Sequence, residues 1–346
     1  MKKNQSRRAF ISTAALGLAS TQLNFTNTAF EPIRAAGTFA MTPVKPRNTA
    51  PLGSIKQIDA GPLNVGYVDA GPAGGPVVVL LHGWPYDINS YANVVPLLTA
   101  KGYRVIVPYL RGYGTTRFRD ANAIRNGQQS AFASDAIALM DALSIKKAIV
   151  GGFDWGARGA CIMAALWPDR VKGIVSVSGY LVVNLVANMQ PLSPKAELGW
   201  WYQYYFATER GRLGYDKNRN EFNKLIWKLA SPKWDFDDAT YNRSAEAFDN
   251  PDHVAIVIHN YRWRLSLAPG EAQYDVLEAR LAGGPAISVP AITIASDFDG
   301  VNADGKTYAK KFTGKYDHRI FYGIGHNFPQ EAPKEFARAI IDVDGF

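Results

Sequence analysis

Cysteine is nearly missing from this chain: Cys161 stands alone among 346 residues. A single thiol excludes an intrachain disulfide, so the fold cannot depend on oxidation, and Cys161 reads as a small core residue. Histidine is also scarce. The five histidines, at positions 82, 253, 259, 318 and 326, form no HExxH run and no Cys/His cluster, which argues against a metal centre. No apolar run is long enough to make a convincing membrane span. Internal repeats and low-complexity tracts are absent. Basic residues outnumber acidic ones, for a formal net charge of +8. Half of that excess lies in residues 1–36 and no basic stripe follows, so nucleic acid or a membrane surface is not indicated as a partner.

What is present describes a globular α/β protein. Hydrophobic residues make up 47% and charged residues 20%, and the length suits one large domain or one domain with an insertion. The opening stretch carries Lys2, Lys3, Arg7 and Arg8 ahead of a mildly apolar run of small residues. Its "SRRAFI" (6–11) resembles a twin-arginine export signal, which implies a chain folded before export to the periplasm or the exterior. Residues 1–36 are assigned to that signal, with "IRAAG" (33–37) as the candidate cleavage region.

Beyond it, buried strands and helices alternate. "LNVGYVDAG" (63–71), "GPVVVLLHG" (75–83), "YRVIVPYL" (103–110), "KKAIVGG" (146–152) and "IVSVSG" (174–179) read as strands, and several are continuous β-branched runs. "SYANVVPLLTAKG" (90–102) and "FASDAIALMDALSI" (132–145) have helical spacing. Such alternation predicts a mostly parallel sheet covered on both faces. Between about 181 and 265 it stops: this stretch is rich in Trp and Tyr and reads as helical, with "NEFNKLIWKLA" (220–230) one helix. Strands resume at "VPAITIASDFDG" (289–300) and "HRIFYGIGHNFP" (318–329), and "EAPKEFARAIIDV" (331–343) closes the chain as a helix. The expected organisation is a core over 37–180 and 266–346 with a helical cap inserted at 181–265.

The chemistry concentrates at "GGFDWGAR" (151–158), a strand, a Gly-flanked turn and a helix, the setting of a nucleophile elbow. Its apex is Asp154 rather than serine. A carboxylate attacking an acyl group would give a mixed anhydride, a poor route. Against an sp³ carbon bearing a leaving group it forms an alkyl ester, a covalent intermediate. Asp299 in "ASDFDG" and His326 in "GIGHNFP" each follow a strand, and catalytic groups of α/β sheets gather at strand carboxyl ends. Asp297 competes with Asp299 for the acid's role.

With "HGWP" (82–85), "FDWG" (153–156), the Asp299 strand end and "GHNFP", residues 60–346 resemble the α/β-hydrolase superfamily, in its epoxide hydrolase and haloalkane dehalogenase branch. The resemblance implies Asp154 as nucleophile, His326 as the base that activates water, and Asp299, favoured over Asp297, to orient it. It further implies an oxyanion hole from the backbone N–H groups of Trp84 and Trp155, a cis peptide at Trp84–Pro85, and no cofactor. Tyr202, in "WWYQYYF", and Tyr261, in "HNYRWR", resemble the tyrosine pair that protonates an opening epoxide. A small apolar substrate and water are the expected partners, and the oligomeric state is left open. Releasing a halide is the runner-up chemistry, and a non-catalytic binding protein on the same fold is the alternative of another class. Arg158 in "DWGAR" resembles the elbow arginines with which fluoroacetate dehalogenases grip a carboxylate, but those enzymes carry Arg directly after the nucleophile, where this chain has Trp155, so Arg158 reads as a structural ion-pair partner and an acidic substrate is left open. "GVNADGKT" (300–307) matches a phosphate-loop pattern but shares its loop with Asp299, and nucleotide binding is rejected.

Overall fold

The β-branched runs become the inner strands of a single sheet. The structure, a computed structural model, describes residues 37–44 and 52–346; the segment read as an export signal lies outside them. Its strands are β1 (Thr38–Ala40), β2 (Lys56–Ala60), β3 (Leu63–Ala70), β4 (Val77–Leu81), β5 (Arg104–Pro108), β6 (Arg117–Phe118), β7 (Ala148–Gly152), β8 (Val171–Val177), β9 (Ala291–Ser296) and β10 (Tyr316–Tyr322). They lie in the order β1-β10-β9-β8-β7-β4-β5-β3-β2, with β6 on β3. Pairing is parallel from β1 through β5 and antiparallel where β3 joins β5, β2 and β6.

Two adjacent glycines show how both faces are covered. Side chains alternate across a strand. A Cβ on Gly151 would meet Ile340 and Phe336 of the helix Pro333–Asp344, whereas one on Gly152 would meet Gly156 and Ala157 of the helix Trp155–Leu166. These helices therefore pack on opposite faces of β7. Burial on both sides explains why β4 and β7 read as unbroken apolar runs instead of alternating ones.

Between β8 and β9 there is no strand. Helices fill the interval, the principal ones being Trp201–Ala207, Glu209–Ala230, Asp238–Ala245 and His253–Arg264. Among the described residues no helix is long and apolar enough to cross a membrane, and no group of three or more His, Cys, Asp or Glu could hold a metal ion. Cys161 is buried.

The helix expected over 90–102 is not continuous. A 3₁₀ turn, Ile88–Tyr91, is followed by the short helix Val95–Thr99. Pro96 is the reason: it lacks an N–H and is tolerated only in a helix's first turn, so the helix begins there. "GVNADGKT" leads into a turn and a 3₁₀ segment at Ala309–Lys311, not into an α-helix, so no helix N-terminus stands ready for a phosphate.

One buried ion pair ties the segment after β5 to the helix Gln129–Ala142. Arg111 Nε and Nη2 reach Asp135 Oδ2 and Oδ1 at 2.7 and 2.8 Å, and Nη1 donates to Asn126 O at 2.8 Å. Arg111→Met would leave the Asp135 carboxylate unpaired in the interior. We expect a loss of about 3–5 kcal/mol in urea unfolding. A loss below about 1 kcal/mol, the range of an exposed pair, would contradict this placement.

Candidate active site

Register brings the site together. β4 and β7 are parallel neighbours with Leu81 opposite Gly152, so the turns that follow them, His82–Trp84 and Phe153–Asp154, leave the sheet side by side. Asp154 adopts φ 52°, ψ −122°, a left-handed conformation that costs a non-glycine residue on the order of 1–3 kcal/mol. The strain aims its carboxyl at the neighbouring turn, where Trp84 N–H donates to Asp154 Oδ1 at 2.7 Å. Glycine is required at the closest approach: a Cβ on Gly83 would lie 2.4 Å from Asp154 Cβ. Trp155 begins the following helix, so its N–H has no acceptor within that helix. The Trp84–Pro85 bond is cis.

His326 arrives from the loop after β10, and its Nε2 lies 3.6 Å from Asp154 Oδ2. A buried carboxylate fixes that loop. Glu331 accepts from Gly325 N–H at 2.7 Å, Asn327 N–H at 3.1 Å and the Ser231 hydroxyl at 2.6 Å, and Ser231 Oγ in turn accepts from His326 N–H at 3.0 Å. Asp154 keeps a pKa below the usual carboxylate value. Burial pushes it up, but His326, Arg158 and the Trp84 N–H together outweigh burial.

The two candidate acids separate. Asp297 pairs with Lys233 at 2.7 Å toward the surface. Asp299 points inward, where burial raises its pKa against the lowering influence of Ser178, Ser296 and His326. Asp299 Oδ2 accepts from Ser296 N–H at 2.8 Å, closing the first turn of a 3₁₀ segment. The hydrogen bond expected from His326 to Asp299 is not formed. His326 Nδ1 is buried without a partner, and the Phe298 ring lies over the imidazole at 4.0 Å between centroids. With the Asp299 carboxylate engaged by Ser296, the histidine is near its charge but not bonded to it.

Tyr202 and Tyr261 come from different helices and meet. Their rings pack edge to face at 5.4 Å, and each lies against Trp84, at 5.1 and 5.2 Å. Tyr204, by contrast, is exposed and bonds Glu197. Burial is the main cause that lifts both phenol pKa values far above ordinary, and the Asp154 charge adds to it, so both hydroxyls stay protonated at neutral pH.

Several participants escaped the sequence reading. The Trp84 indole N–H donates to Tyr215 Oη at 2.9 Å, and Tyr215 lies 2.9 Å from His253 Nε2. His253 Nδ1 is 2.9 Å from Gly112 O, so Nδ1 carries the proton and Nε2 accepts from the tyrosine. Tyr215 then has no proton left for Asn223 Oδ1 at 3.1 Å, while Asn223 Nδ2 is unpartnered. Turning that amide over lets its N–H donate to Tyr215 Oη. His82 is similarly fixed: its Nε2 accepts from Leu110 N–H at 3.2 Å and its Nδ1 faces Gly83 O at 3.1 Å. Burial holds the pKa of His82 near 4 and that of His253 near 3, so both are neutral framework residues. Arg158, expected in an ion pair, makes none with a carboxylate among the described residues. Its Nε donates to Leu181 O at 3.2 Å and its Nη1 has no partner. Arg262 ties helices together through Phe206 O and Thr208 O.

A sheet of this order with an aspartate elbow and a histidine after the last strand defines an α/β hydrolase. Residues 76–328 match the family model described as the alpha/beta hydrolase fold, and the chain belongs to that family. A solved structure from Klebsiella pneumoniae, provisionally described as an epoxide hydrolase, is 58% identical, with a TM-score of 0.83 over 84% of this chain and 97% of that one. Epoxide hydrolase B of Mycobacterium tuberculosis is 36% identical over 150 residues, 40% of this chain and 41% of the relative, so the chain matches about two fifths of that protein's length. A haloalkane dehalogenase of Mycolicibacterium paratuberculosis is 30% identical over 213 residues, 59% of this chain and 67% of the relative.

Tyr215→Phe would strand both the Trp84 indole N–H and His253 Nε2 in the interior. We expect a loss of about 1–3 kcal/mol in denaturant unfolding. Unchanged stability would show that this network does not hold Trp84.

Proposed function

We propose that this chain is an epoxide hydrolase, converting an oxirane to a vicinal diol through an ester on Asp154. The observation that carries the reading is an ionised aspartate at the elbow with two protonated, buried tyrosines packed on the same tryptophan that holds its carboxylate. An epoxide needs a proton at its oxygen because alkoxide leaves poorly, and a phenol supplies one.

With Oδ1 held by Trp84 N–H, Oδ2 is free to attack a ring carbon. The ring C–O bond breaks, its electron pair stays on oxygen, and that oxygen takes a proton from Tyr202 or Tyr261. His326 Nε2 then removes a proton from water, and the hydroxide adds to the ester carbonyl carbon. Negative charge on the former carbonyl oxygen meets the Trp84 N–H. Collapse breaks the bond between that carbon and the alkyl oxygen, which departs with the proton from His326. The second water proton returns through solvent to the phenolate. One oxirane and one water give one diol, whose newly placed oxygen came from Asp154. The helices between β8 and β9 act as the cap that carries the proton donors, and Asp299 supports His326 by its charge.

A dehalogenase is the second reading, favoured by one observation: the Trp155 indole N–H is buried and unpartnered, as a halide donor would be. The Trp84 indole, which could complete such a site, is engaged by Tyr215.

Styrene oxide and a bromoalkane tested in parallel separate the two, diol without bromide being the expected result and bromide without diol the contrary one. Asp154→Ala should abolish turnover. His326→Gln should accumulate a stoichiometric adduct visible by intact mass, and full turnover in either variant would remove the mechanism. Tyr202→Phe or Tyr261→Phe should slow ester formation by about 10²-fold or more; unaffected rates would make these rings packing residues. Because the pKa of Asp154 lies below 3.8, its active carboxylate form persists as pH falls. Wild-type single-turnover ester formation should therefore hold from neutrality down to about pH 4. Loss of that step on a carboxyl titrating above pH 5 (roughly a unit beyond the ordinary Asp range) would contradict the assignment.

A further inference from the structure

One short stretch of the inserted helices touches three turns at the carboxyl end of the sheet, those that carry Trp84, Asp299 and His326. Trp227, on the helix Glu209–Ala230, donates from its indole to Pro85 O at 2.7 Å. Lys233 pairs with Asp297 at 2.7 Å. Between them Ser231, the residue that ends the helix, enters the loop of His326.

The Ser231 contact is the buried one: Ser231 is 1% exposed and Glu331 is fully enclosed. Three successive backbone N–H groups converge on this pair. Gly325 N–H donates to Glu331 Oε2 at 2.7 Å, and Asn327 N–H to Oε1 at 3.1 Å. His326 N–H is shared between Ser231 Oγ at 3.0 Å and Ala230 O at 3.1 Å. The Ser231 hydroxyl donates to Glu331 Oε1 at 2.6 Å. The approach is close enough to demand glycine ahead of the histidine, because a Cβ on Gly325 would lie 2.5 Å from Ser231 Cα.

This anchor matters because the imidazole has no bonded partner of its own. A catalytic base is ordinarily oriented by a third group on its second nitrogen. Here Nδ1 has none. The rings of Phe298 and Tyr86, at 4.0 and 5.8 Å between centroids, confine the imidazole without a directional bond. The 3.6 Å between His326 Nε2 and Asp154 Oδ2 is therefore set by where the backbone of 325–327 lies.

We propose that Ser231 and Glu331 are positioning residues for His326, and that they make hydrolysis of the ester depend on the attachment of the helix Glu209–Ala230 to the histidine loop. This proposal rests on the Asp154 ester mechanism above. Ring opening draws on Asp154 and the phenols and does not need the base, whereas activating water needs Nε2 within hydrogen-bond reach. A misplacement of about 1 Å can cost on the order of 10²-fold in such a step. The loss belongs to the second step alone.

The test is a single turnover of styrene oxide, and in parallel of a bromoalkane, by wild type, Ser231→Ala and Glu331→Gln, with ester and product followed separately. Burial pushes the Glu331 carboxyl up to about 7, so the comparison is made at pH 8, where it is ionised. Ser231→Ala leaves His326 N–H the Ala230 carbonyl, and Glu331→Gln keeps the side chain's size but offers one acceptor oxygen in place of two. In both variants we expect ester formation within about threefold of wild type and ester hydrolysis slowed by about tenfold or more, so that the adduct builds up on intact mass. Hydrogen exchange should quicken at 325–327 and stay unchanged over 151–158. Hydrolysis at the wild-type rate in both variants would overturn the positioning role and leave the ester mechanism intact. Equal slowing of both steps, with exchange quickened throughout the chain, would make the pair an ordinary fold contact and remove the proposal. Bromide in place of diol, with the same selective loss of ester hydrolysis, would keep the positioning role and overturn the epoxide hydrolase reading. No ester on Asp154 with either substrate would overturn the mechanism and the proposal with it.

Discussion

The 2.7 Å hydrogen bond from Trp84 N–H to Asp154 Oδ1 is the contact on which the site depends. It requires β4 and β7 to be parallel neighbours, so that two turns leave the sheet together. It requires glycine at 83, where any side chain would strike Asp154, and at 156, where a Cβ would lie 1.8 Å from Leu81 O. It also requires Asp154 to accept a strained backbone. The fold supplies that strain energy through the burial of the elbow helix, nearly all of whose residues are inside. Trp84 is fixed in turn by its indole bond to Tyr215, so the helices between β8 and β9 and the sheet hold the Asp154 carboxyl jointly.

Charge then divides the labour. Asp154 is kept ionised while the adjacent phenols are kept neutral, and one environment achieves both because burial disfavours each charged form. The carboxylate escapes that penalty only because His326, Arg158 and a backbone N–H face it. The phenols have no such compensation of comparable size. An ionised carboxylate and neutral phenols thus sit against the same tryptophan, the combination that the proposed ring opening needs.

Much of the frame was legible in the sequence because it is local. Continuous Val and Ile runs marked the strands buried on both faces, and the elbow announced itself through its glycines. Pro96 is equally visible in the sequence, and it starts the helix at Val95 where helical spacing alone extends it over 90–102. The choice between Asp297 and Asp299 gains a physical reason only in three dimensions, where Lys233 takes the former. Contacts across long separations were not legible: Trp84 and Tyr215 are 131 residues apart, and nothing near either names the other. Nor does spacing reveal that His326 Nδ1 is left without a partner while the Phe298 ring lies against the imidazole.

The most direct measurement is a single turnover in heavy-oxygen water with enzyme in excess over styrene oxide, followed by mass analysis of both the diol and the Asp154 peptide. Attack by Asp154 puts an enzyme oxygen into the diol and the solvent oxygen into the carboxylate. The expected result is therefore an unlabelled diol and a labelled Asp154. A labelled diol with an unlabelled Asp154 would mean that water attacks the oxirane directly, and the aspartate would not be the nucleophile.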